Sequence, residues 1–255
     1  MFIQENRTKR KLEAGQPVYG VLSTSADPQL AELFGLAGFD YYMLDAEHGL
    51  MDVSQVVDVI RACELVGMTP MVRIGSKDPK IVLQYLDAGI MGVMMPGLET
   101  VSEIKILIDA VKYPPLGKRG MGITRASSYI AVGEEAAEYI QFSNEQIMVI
   151  PQFEDPALLE RFGEMIAQPG VDAIVIGPRD LSMNMGFPDG PNHTEVQSMI
   201  DDVIALCKRC GVASGITAGS RSDAASQVAR GATMILAIAQ FVIAAGSKEF
   251  LPEKP

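Results

Sequence analysis

Two carboxylates and an imidazole stand together directly after one apolar stretch of the chain. Residues 39–44 have the composition of a buried strand. The next five residues are Asp45, Ala46, Glu47, His48 and Gly49. A strand that ends in ionisable groups indicates a site, because such groups are costly to bury without a partner. Imidazole titrates near neutral pH, so His48 suits a general base; a hydrogen-bonded histidine of the core is the alternative.

Charged and polar groups also accompany other apolar runs. Arg73 lies within residues 70–74, and Gln152 and Glu154 lie where the run from residue 148 ends. A guanidinium in an apolar run needs an anion, so Arg73 is predicted to meet either an anionic ligand or a carboxylate of the fold. Residues 177–180, Gly-Pro-Arg-Asp, leave backbone N–H groups at the approach to a helix, which suits a substrate carboxylate.

Glu154 and Asp180 are the candidates for a metal site. Two carboxylates from neighbouring strands repel each other in a partly dry cleft unless a proton or a cation lies between them. Oxygen ligands without nearby Cys or His favour Mg2+ or Mn2+, with Co2+ or Zn2+ as alternatives. Helix capping is the other role for a carboxylate at a strand end, and Asp155 before Pro156 is predicted to be such a cap.

One repeated junction organises the chain that must position these groups. An amphipathic run ends, a glycine follows and a short apolar run begins, at Gly38, Gly67, Gly89, Gly170, Gly211 and Gly231. Glycine after a helix supplies the left-handed cap that lets the chain turn into a strand. Repeated units of this kind favour a parallel sheet covered by helices.

The units predict eight strands with helices between them. The strands are predicted at residues 18–24, 41–46, 70–74, 92–96, 148–153, 172–176, 212–217 and 233–239. The helices are predicted at residues 28–37, 53–66, 79–88, 101–111, 157–167, 196–210 and 223–229. The favoured architecture is an α/β fold, a (β/α)8 TIM barrel forming a single domain over residues 1–255, with a doubly wound open sheet as the alternative. Residues 112–147 are predicted to combine an irregular loop with one or two helices, and residues 183–194 to form a loop.

Composition excludes several classes of partner. The net charge of -11 disfavours nucleic acid and anionic membrane surfaces, because a negative field repels phosphates. There is no apolar run of the ~18 residues that a membrane span needs, and no signal-peptide pattern at the start. The three cysteines fit a reducing compartment, so a cytoplasmic protein is expected. Cys207 and Cys210 have redox-motif spacing, but they are predicted to share a helix face.

The lysines argue against imine chemistry. A Schiff-base lysine has to lie in the desolvated mouth of the barrel. The lysines of this chain fall on predicted helices, loops or tails, and only Lys77 is near a strand end.

Several spaced motifs together resemble the HpcH/HpaI aldolase family of metal-dependent (class II) pyruvate aldolases. They are GFDYYMLDAEHG, PMVRI, DPKIVLQYLDAG, KYPPLGKRGMG, PQFED and GVDAIVIGPRDLSMNMG, in this order between residues 38 and 187. The resemblance implies a carbon-carbon lyase that cleaves or forms 4-hydroxy-2-oxo acids through a pyruvate enolate, giving pyruvate and an aldehyde. It also implies a divalent metal and a homo-oligomer, commonly a hexamer that exchanges its last helix between subunits.

The resemblance assigns a role to each matching residue. Glu154 and Asp180 would be the metal ligands, and Arg73 would stabilise the enolate oxygen. His48 would be the acid/base, with Asp45 holding the local network and Asp87 as the carboxylate partner of His48. Gln152 would lie next to pyruvate, whose carboxylate would meet the backbone of Gly177, Pro178, Arg179 and Asp180.

One motif departs from the family pattern, and two rival functions stay open. Residues 237–240 read Ala-Ile-Ala-Gln where relatives often have Gly-Ser-Asp, which puts the contacts after the last strand in doubt. A lyase or isomerase of a phosphorylated substrate would use residues 215–220 as a phosphate cradle. A lyase of a CoA-linked substrate would need a basic patch for the CoA phosphate, and the sequence shows no such added patch. A non-catalytic keto-acid binder would be expected to lack one of the four residues Arg73, His48, Glu154 and Asp180, and all four are present.

Overall fold

The computed structural model describes residues 4–129 and 134–252, which form a closed barrel of eight parallel strands. The strands are hydrogen-bonded in chain order, and β8 pairs with β1 to close the ring. Their bounds are β1 Val18–Ser23, β2 Tyr41–Asp45, β3 Thr69–Arg73, β4 Gly92–Met95, β5 Met148–Phe153, β6 Ala173–Ile176, β7 Ala213–Thr217 and β8 Met234–Ile238. All eight predicted strands are confirmed, and the alternative of an open doubly wound sheet is wrong.

Helices surround the barrel and connect its strands. Their bounds are α1 Arg7–Glu13, α2 Pro28–Leu36, α3 Val53–Val66, α4 Pro79–Ala88, α5 Val101–Val111, α6 Glu134–Gln146, α7 Phe162–Ile166, α8 Pro178–Asn184, α9 Thr194–Cys210, α10 Arg221–Arg230 and α11 Ala239–Phe250. Left-handed glycine caps end four of them, at Gly67, Gly89, Gly211 and Gly231. Within the described residues no helix combines the length and apolarity that crossing a membrane requires.

The helix predicted over residues 157–167 is divided in two. A 3-10 turn over Pro156–Arg161 comes first, and α7 follows it. The change occurs where Phe162 packs edge-on against Phe153 of β5, with ring centroids 4.8 Å apart. The predicted cap at Asp155 is confirmed, since its side chain accepts from the Ala157 N–H at 2.8 Å.

The predicted loop over residues 183–194 starts later than expected, because α8 begins one residue after β6 and extends to Asn184. Pro178 at the first helical position and Asp180 in the first turn both favour a helix start there. Residues 112–147 contain the predicted irregular loop and α6, and residues 130–133 of this segment lie outside the described residues.

Strand side chains alternate between two cores. On β2, Tyr42 and Leu44 face outward and pack under the helices, whereas Tyr41 faces the barrel interior. Five of the interior side chains are methionines, at Met43, Met71, Met94, Met148 and Met234. These flexible side chains fill the barrel below its C-terminal end.

Packing inside the barrel requires a glycine at position 20. Gly20 of β1 is paired with Tyr41 of β2, and a β-carbon at Gly20 would lie 2.1 Å from the Tyr41 ring. The ring is buried, and its hydroxyl donates to the backbone oxygen of Ile235 at 2.9 Å. The ring therefore has no free direction in which to move.

We predict that Gly20→Ala lowers the free energy of unfolding by about 1–3 kcal/mol or more, because a packed interior cannot absorb the added carbon. Urea or thermal unfolding measures the loss. Gly163→Ala in α7 is the matched control, since the atom nearest to its added carbon is Leu206 Cδ1 at 3.9 Å, and it should keep or slightly raise stability. Equal losses in the two variants would contradict the packing argument.

Candidate active site

Alternation along the strands directs the predicted site residues into one end of the barrel, here called the mouth. Met43 of β2 belongs to the interior, so Asp45, two residues later, faces the same way. The same two-residue step applies to Arg73, Gln152, Glu154 and Gly177. The C-terminal ends of β2, β3, β5 and β6 thus bring these groups together, as expected for a barrel enzyme.

A buried ion pair between Asp45 and Arg73 forms the wall of the mouth at β2 and β3. The two residues are direct partners in the register, and Arg73 Nε and Nη2 donate to the two carboxylate oxygens at 2.9 and 2.6 Å. The Asp45 and Arg73 side chains are 4% and 11% exposed. Asp45 Oδ1 also accepts from the backbone N–H groups of Glu47 and His48, at 3.2 and 3.3 Å. A carboxylate of the fold therefore partners Arg73 and also holds the loop that carries His48.

Glu47 connects this ion pair to His48. Its Oε2 lies 3.2 Å from Arg73 Nε and 3.8 Å from His48 Nε2. The His48 side chain is 66% exposed, so the alternative of a core histidine is wrong. Burial raises the pKa of Glu47, the charges of Arg73 and His48 lower it, and the carboxylates of Asp45 and Asp180 raise it. Glu47 is not among the site residues selected from the sequence, although its position between Asp45 and His48 held the signal.

Glu154 is a second half-buried carboxylate of the mouth. Its Oε1 accepts from the Gly97 N–H at 2.6 Å, and its Oε2 accepts from Gln152 Nε2 at 2.5 Å. Burial raises the pKa of Glu154, the hydrogen bond from Gly97 lowers it, and the charges of Asp180 and Glu47 raise it. Three carboxylates therefore act on one another electrostatically, and a cation between them would relieve the repulsion.

The surroundings of Glu154 and Asp180 fit a divalent metal. Gln152 Oε1 is buried without a hydrogen-bond partner, so the site contains a polar atom that a ligand could satisfy. A β-carbon at Gly177 would lie 2.7 Å from Gln152 Nε2 and 3.3 Å from Glu154 Oε2, so glycine keeps the space open. The available donors are oxygen atoms, which Mg2+ and Mn2+ prefer. Across residues 4–129 and 134–252, no group of three or more Asp, Glu, His or Cys side chains has metal-binding geometry.

The first turn of α8 presents two backbone amides. The Gly177 N–H donates to a backbone carbonyl at 2.9 Å and Pro178 has no N–H, so the amides of Arg179 and Asp180 are the ones without a helical acceptor. The Arg179 guanidinium lies toward the following loop, with Nη1 3.4 Å from the β-carbon position at Gly190. Arg179 therefore presents its main chain, and not its charge, at this position.

Asp87 lies at the opposite end of the barrel. It occupies the last turn of α4, and helices that connect parallel strands end at the N-terminal face, away from the mouth. There Arg119 Nη2 donates to Asp87 Oδ1 at 3.0 Å. The expected pairing of Asp87 with His48 is therefore wrong within one chain, and Glu47 is the carboxylate beside the imidazole.

The groups that rival functions would need are already engaged. In the segment 215–220, the Gly219 N–H donates to Asp223 Oδ2 at 2.8 Å, so a carboxylate stands where a phosphate oxygen would bind. Lys77 pairs with Glu103 at 2.5 Å, and its side chain is 41% exposed. The contact of Gly219 disfavours phosphate binding at residues 215–220, and the ion pair of Lys77 disfavours imine chemistry at that lysine.

Similarity to known proteins extends over most of the chain. The family model described as HpcH/HpaI aldolase/citrate lyase matches residues 19–241. A hydroxypyruvate/pyruvate aldolase from Sagittula stellata is 36% identical over 88% of this chain and 86% of that protein. A 4-hydroxy-2-oxo-heptane-1,7-dioate aldolase from Escherichia coli is 32% identical over 91% of this chain and 87% of that protein. The crystal structure of an HpcH/HpaI aldolase from Desulfitobacterium hafniense has a TM-score of 0.87 at 30% identity, covering 97% of this chain and 98% of that one.

We predict that Glu154→Gln stabilises the metal-free protein. Because the pKa of Glu154 is raised in the fold, the stability it contributes is present at low pH and lost as the pH rises through the folded-state pKa. At pH 7 an amide removes the repulsion, and a flipped Gln152 can direct its unpartnered Oε1 at the new NH2 group. Thermal unfolding should show a rise in Tm of about 2–4 °C.

The same variant should lose the increase in Tm that Mg2+ or Mn2+ gives the wild type, since one ligand carboxylate is gone. Asp155→Asn is the matched control, because it changes the adjacent carboxylate and keeps an acceptor for the Ala157 N–H. Stabilisation of Glu154→Gln by metal to the wild-type extent would contradict the assignment.

Proposed function

The chain belongs to the HpcH/HpaI aldolase/citrate lyase family, and we propose from this premise that its mouth is the active site of a class II pyruvate aldolase. Such a carbon-carbon lyase cleaves a 4-hydroxy-2-oxo acid into pyruvate and an aldehyde, or joins the two. In the joining direction C3 of pyruvate loses a proton and bonds to the aldehyde carbon, whose oxygen gains a proton. The observation that carries the proposal is the guanidinium of Arg73, which Asp45 holds by an ion pair. The negative charges of Glu47 and Asp180 act on this guanidinium, and the same two charges act on Glu154 in the mouth.

Glu154 and Asp180 are proposed to hold a divalent metal. Mg2+ and Mn2+ suit their oxygen donors best, and Co2+ is a third candidate. When bound, the metal acts as a Lewis acid that polarises the 2-oxo group of the substrate. The hydrogen bond from the Gly97 N–H to Glu154 Oε1 favours the charged carboxylate that metal binding requires.

Arg73 is proposed to stabilise the negative charge that develops on the substrate oxygen. Asp45 takes the Nε and Nη2 donors and thereby fixes the plane of the guanidinium. A donor that is already oriented needs no reorganisation as charge develops. In a protein with a net charge of -11, binding of the anionic pyruvate depends on a local cation of this kind.

His48 is proposed to transfer the proton. Its imidazole is exposed to water on one side and lies 3.8 Å from Glu47 Oε2 on the other, so a proton can pass between solvent and the mouth. Asp45 holds the backbone of this loop through the His48 N–H. Glu47, whose pKa is raised, is a second group that can carry the proton.

The start of α8 is proposed to bind the carboxylate of pyruvate. The amides of Arg179 and Asp180 are donors without helical acceptors, as anion binding at a helix start requires. Gln152 Oε1 is a buried acceptor, so it suits a water or hydroxyl proton of the bound substrate and not the carboxylate itself.

The proposed activity is expected to require metal. With Mg2+, Mn2+ or Co2+, the purified protein should release pyruvate from a panel of 4-hydroxy-2-oxo acids, followed by coupling to lactate dehydrogenase. Chelation should abolish the release until metal is restored. Pyruvate release that survives chelation, or an imine trapped by borohydride, would sink the proposal.

Two variants separate the role of the metal from the role of the Arg73 guanidinium in this experiment. Asp180→Ala is expected to lose metal binding, measured by calorimetry, without unfolding. Arg73→Lys should bind metal but lose about 100-fold or more in kcat, because an ammonium cannot reproduce the two-point contact with Asp45. Asp58→Ala, which removes an exposed partner of Arg61 on α3, is the control for loss of a carboxylate.

We propose that copies of the chain associate through α11. The helix exposes Phe241, Ile243 and Phe250 by 64, 49 and 90%. Beside it lies an apolar groove of about 570 Å3 between the α2–β2 connection, α10 and α11, lined by residues such as Phe39 and Ala224. An exposed apolar face and an unfilled apolar groove on one chain are complementary, so the α11 of a second copy would fill the groove. A hexamer is the assembly that the family resemblance implies.

Sedimentation should show an oligomer that Val242→Asp weakens or dissociates, because the aspartate would bring a charge into the apolar groove. Ser247→Asp, at an exposed position of the same helix, is the matched control and should leave the assembly intact. A monomeric wild type, or equal behaviour of the two variants, would argue against this interface.

The cysteines support a reducing compartment, and we propose the cytoplasm. Cys63 and Cys207 are buried, Cys210 is exposed, and all three are free thiols. Cys207 and Cys210 both lie on α9, as the helical interpretation of their spacing predicts.

A further inference from the structure

The loop between β4 and α5, residues 96–100, contacts one of the two proposed metal ligands. Gly97 has a φ of +61°, in the left-handed region, and its N–H donates to Glu154 Oε1 at 2.6 Å. The next residue, Leu98, is 1% exposed and belongs to the core under the helices, so it anchors the loop. One oxygen of Glu154 is therefore held by a loop that follows the neighbouring strand.

Glu103, in the first turn of α5, holds the other end of this loop. Its Oε2 accepts from the backbone N–H groups of Glu99 and Thr100, at 2.6 and 3.1 Å. Its Oε1 accepts from Lys77 Nζ at 2.5 Å, so both oxygens of the carboxylate have partners. Glu103 thus fixes the two residues that follow Leu98 in the chain.

Contacts on both oxygens set the orientation of the Glu154 carboxylate. Gln152 Nε2 donates to Oε2 at 2.5 Å, whereas Oε1 accepts from the Gly97 N–H. Each oxygen of a carboxylate has two acceptor positions, so each keeps one for a metal. Groups that orient a metal ligand from behind contribute to metal affinity, and their loss typically weakens binding about 10–100-fold.

We infer that Glu103 is a positioning residue of the proposed metal site and acts through the Gly97 N–H on Glu154. The inference rests on the proposed function, because a divalent metal bound by Glu154 and Asp180 is what the positioning serves. Without the Glu103 carboxylate, the backbone N–H groups that it holds lose their acceptor, and the loop is free to turn the Gly97 N–H away. Glu154 then loses one of the two contacts that orient it.

Two substitutions at position 103 separate the hydrogen bonds of Glu103 from its charge. Glu103→Ala removes both, and calorimetry should show that it binds Mn2+ about tenfold more weakly than the wild type does. Glu103→Gln removes the same charge but keeps an oxygen that can accept from the loop, so its Kd should stay within about twofold of the wild-type value. Equal weakening in the two variants would mean that only the charge matters, and it would overturn the inference.

Gln55→Ala in α3 is the matched control for Glu103→Ala. Gln55 occupies the same third helical position, and its Oε1 accepts from the Asp52 N–H at 2.9 Å. Gln55→Ala should lower the Tm to a similar extent but leave the Kd for Mn2+ unchanged, because α3 does not follow a strand that carries a metal ligand. Weaker metal binding in both variants would show a general effect of lost stability and contradict the role of Glu103.

Gly97→Ala tests the other end of the same connection. Among the described residues, no atom beyond the chain neighbours lies within 4 Å of the β-carbon position at Gly97, so the substitution disturbs only the left-handed backbone. It should weaken Mn2+ binding about tenfold. Gly15→Ala, with a φ of +70° and equally open surroundings after α1, is the control and should keep the Kd. An unchanged Kd in Gly97→Ala would overturn the inference.

Hydrogen exchange of the metal-free protein, followed by mass spectrometry, separates this inference from the proposed function. The amides of residues 97–100 should exchange faster in Glu103→Ala than in the wild type and in Glu103→Gln. Unchanged exchange there would show that the loop does not depend on Glu103. A wild type that binds no Mn2+ or Mg2+ would reject the metal site and the inference with it. A wild type that binds metal, with an unchanged Kd in Glu103→Ala, would reject the inference alone.

Discussion

The ion pair of Asp45 and Arg73 is the constraint on which the mouth depends. Removing both charges from water is unfavourable, and removing one partner alone costs about 3–5 kcal/mol because the other charge stays buried. Asp45 also accepts the backbone N–H groups of Glu47 and His48, so the loop geometry follows from the same carboxylate. The pairing register of β2 with β3 places Asp45 opposite Arg73. It therefore sets both the orientation of the Arg73 guanidinium and the position of the His48 imidazole.

The carboxylates of the mouth work against the stability of the fold that holds them. Burial and mutual repulsion raise the pKa of Glu47 and of Glu154, so the surroundings disfavour the charged form of each. Gln152 adds a buried oxygen without a partner. Destabilising groups gathered at one end of an otherwise well-packed barrel are typical of a site that serves ligand binding at the expense of stability.

The features that could be predicted from the sequence are those with local causes. A glycine such as Gly67 that follows an amphipathic run marks a helix end, and six such junctions together with the apolar runs predict the eight strands. Strand parity then sends Arg73 and Glu154 to the mouth. The place of Asp87 depends on the end of the barrel at which α4 finishes, which a motif match does not report. Glu47 carried a local signal, since it lies between Asp45 and His48 in the sequence. The apolar groove beside α11 forms only when segments distant in the chain pack together, and no local pattern specifies that packing.

The methionines inside the barrel lie beneath this constrained surface. An unbranched thioether chain fills irregular space in several rotamers at little energetic cost. A substitution beside one of these methionines, as at Gly92 next to Met71, can be met by a change of methionine rotamer, whereas the Tyr41 ring beside Gly20 cannot move. Changes of side-chain volume beside these methionines can therefore be absorbed in the barrel interior, while the reactive end, where a displacement of one ångström would matter, keeps its geometry.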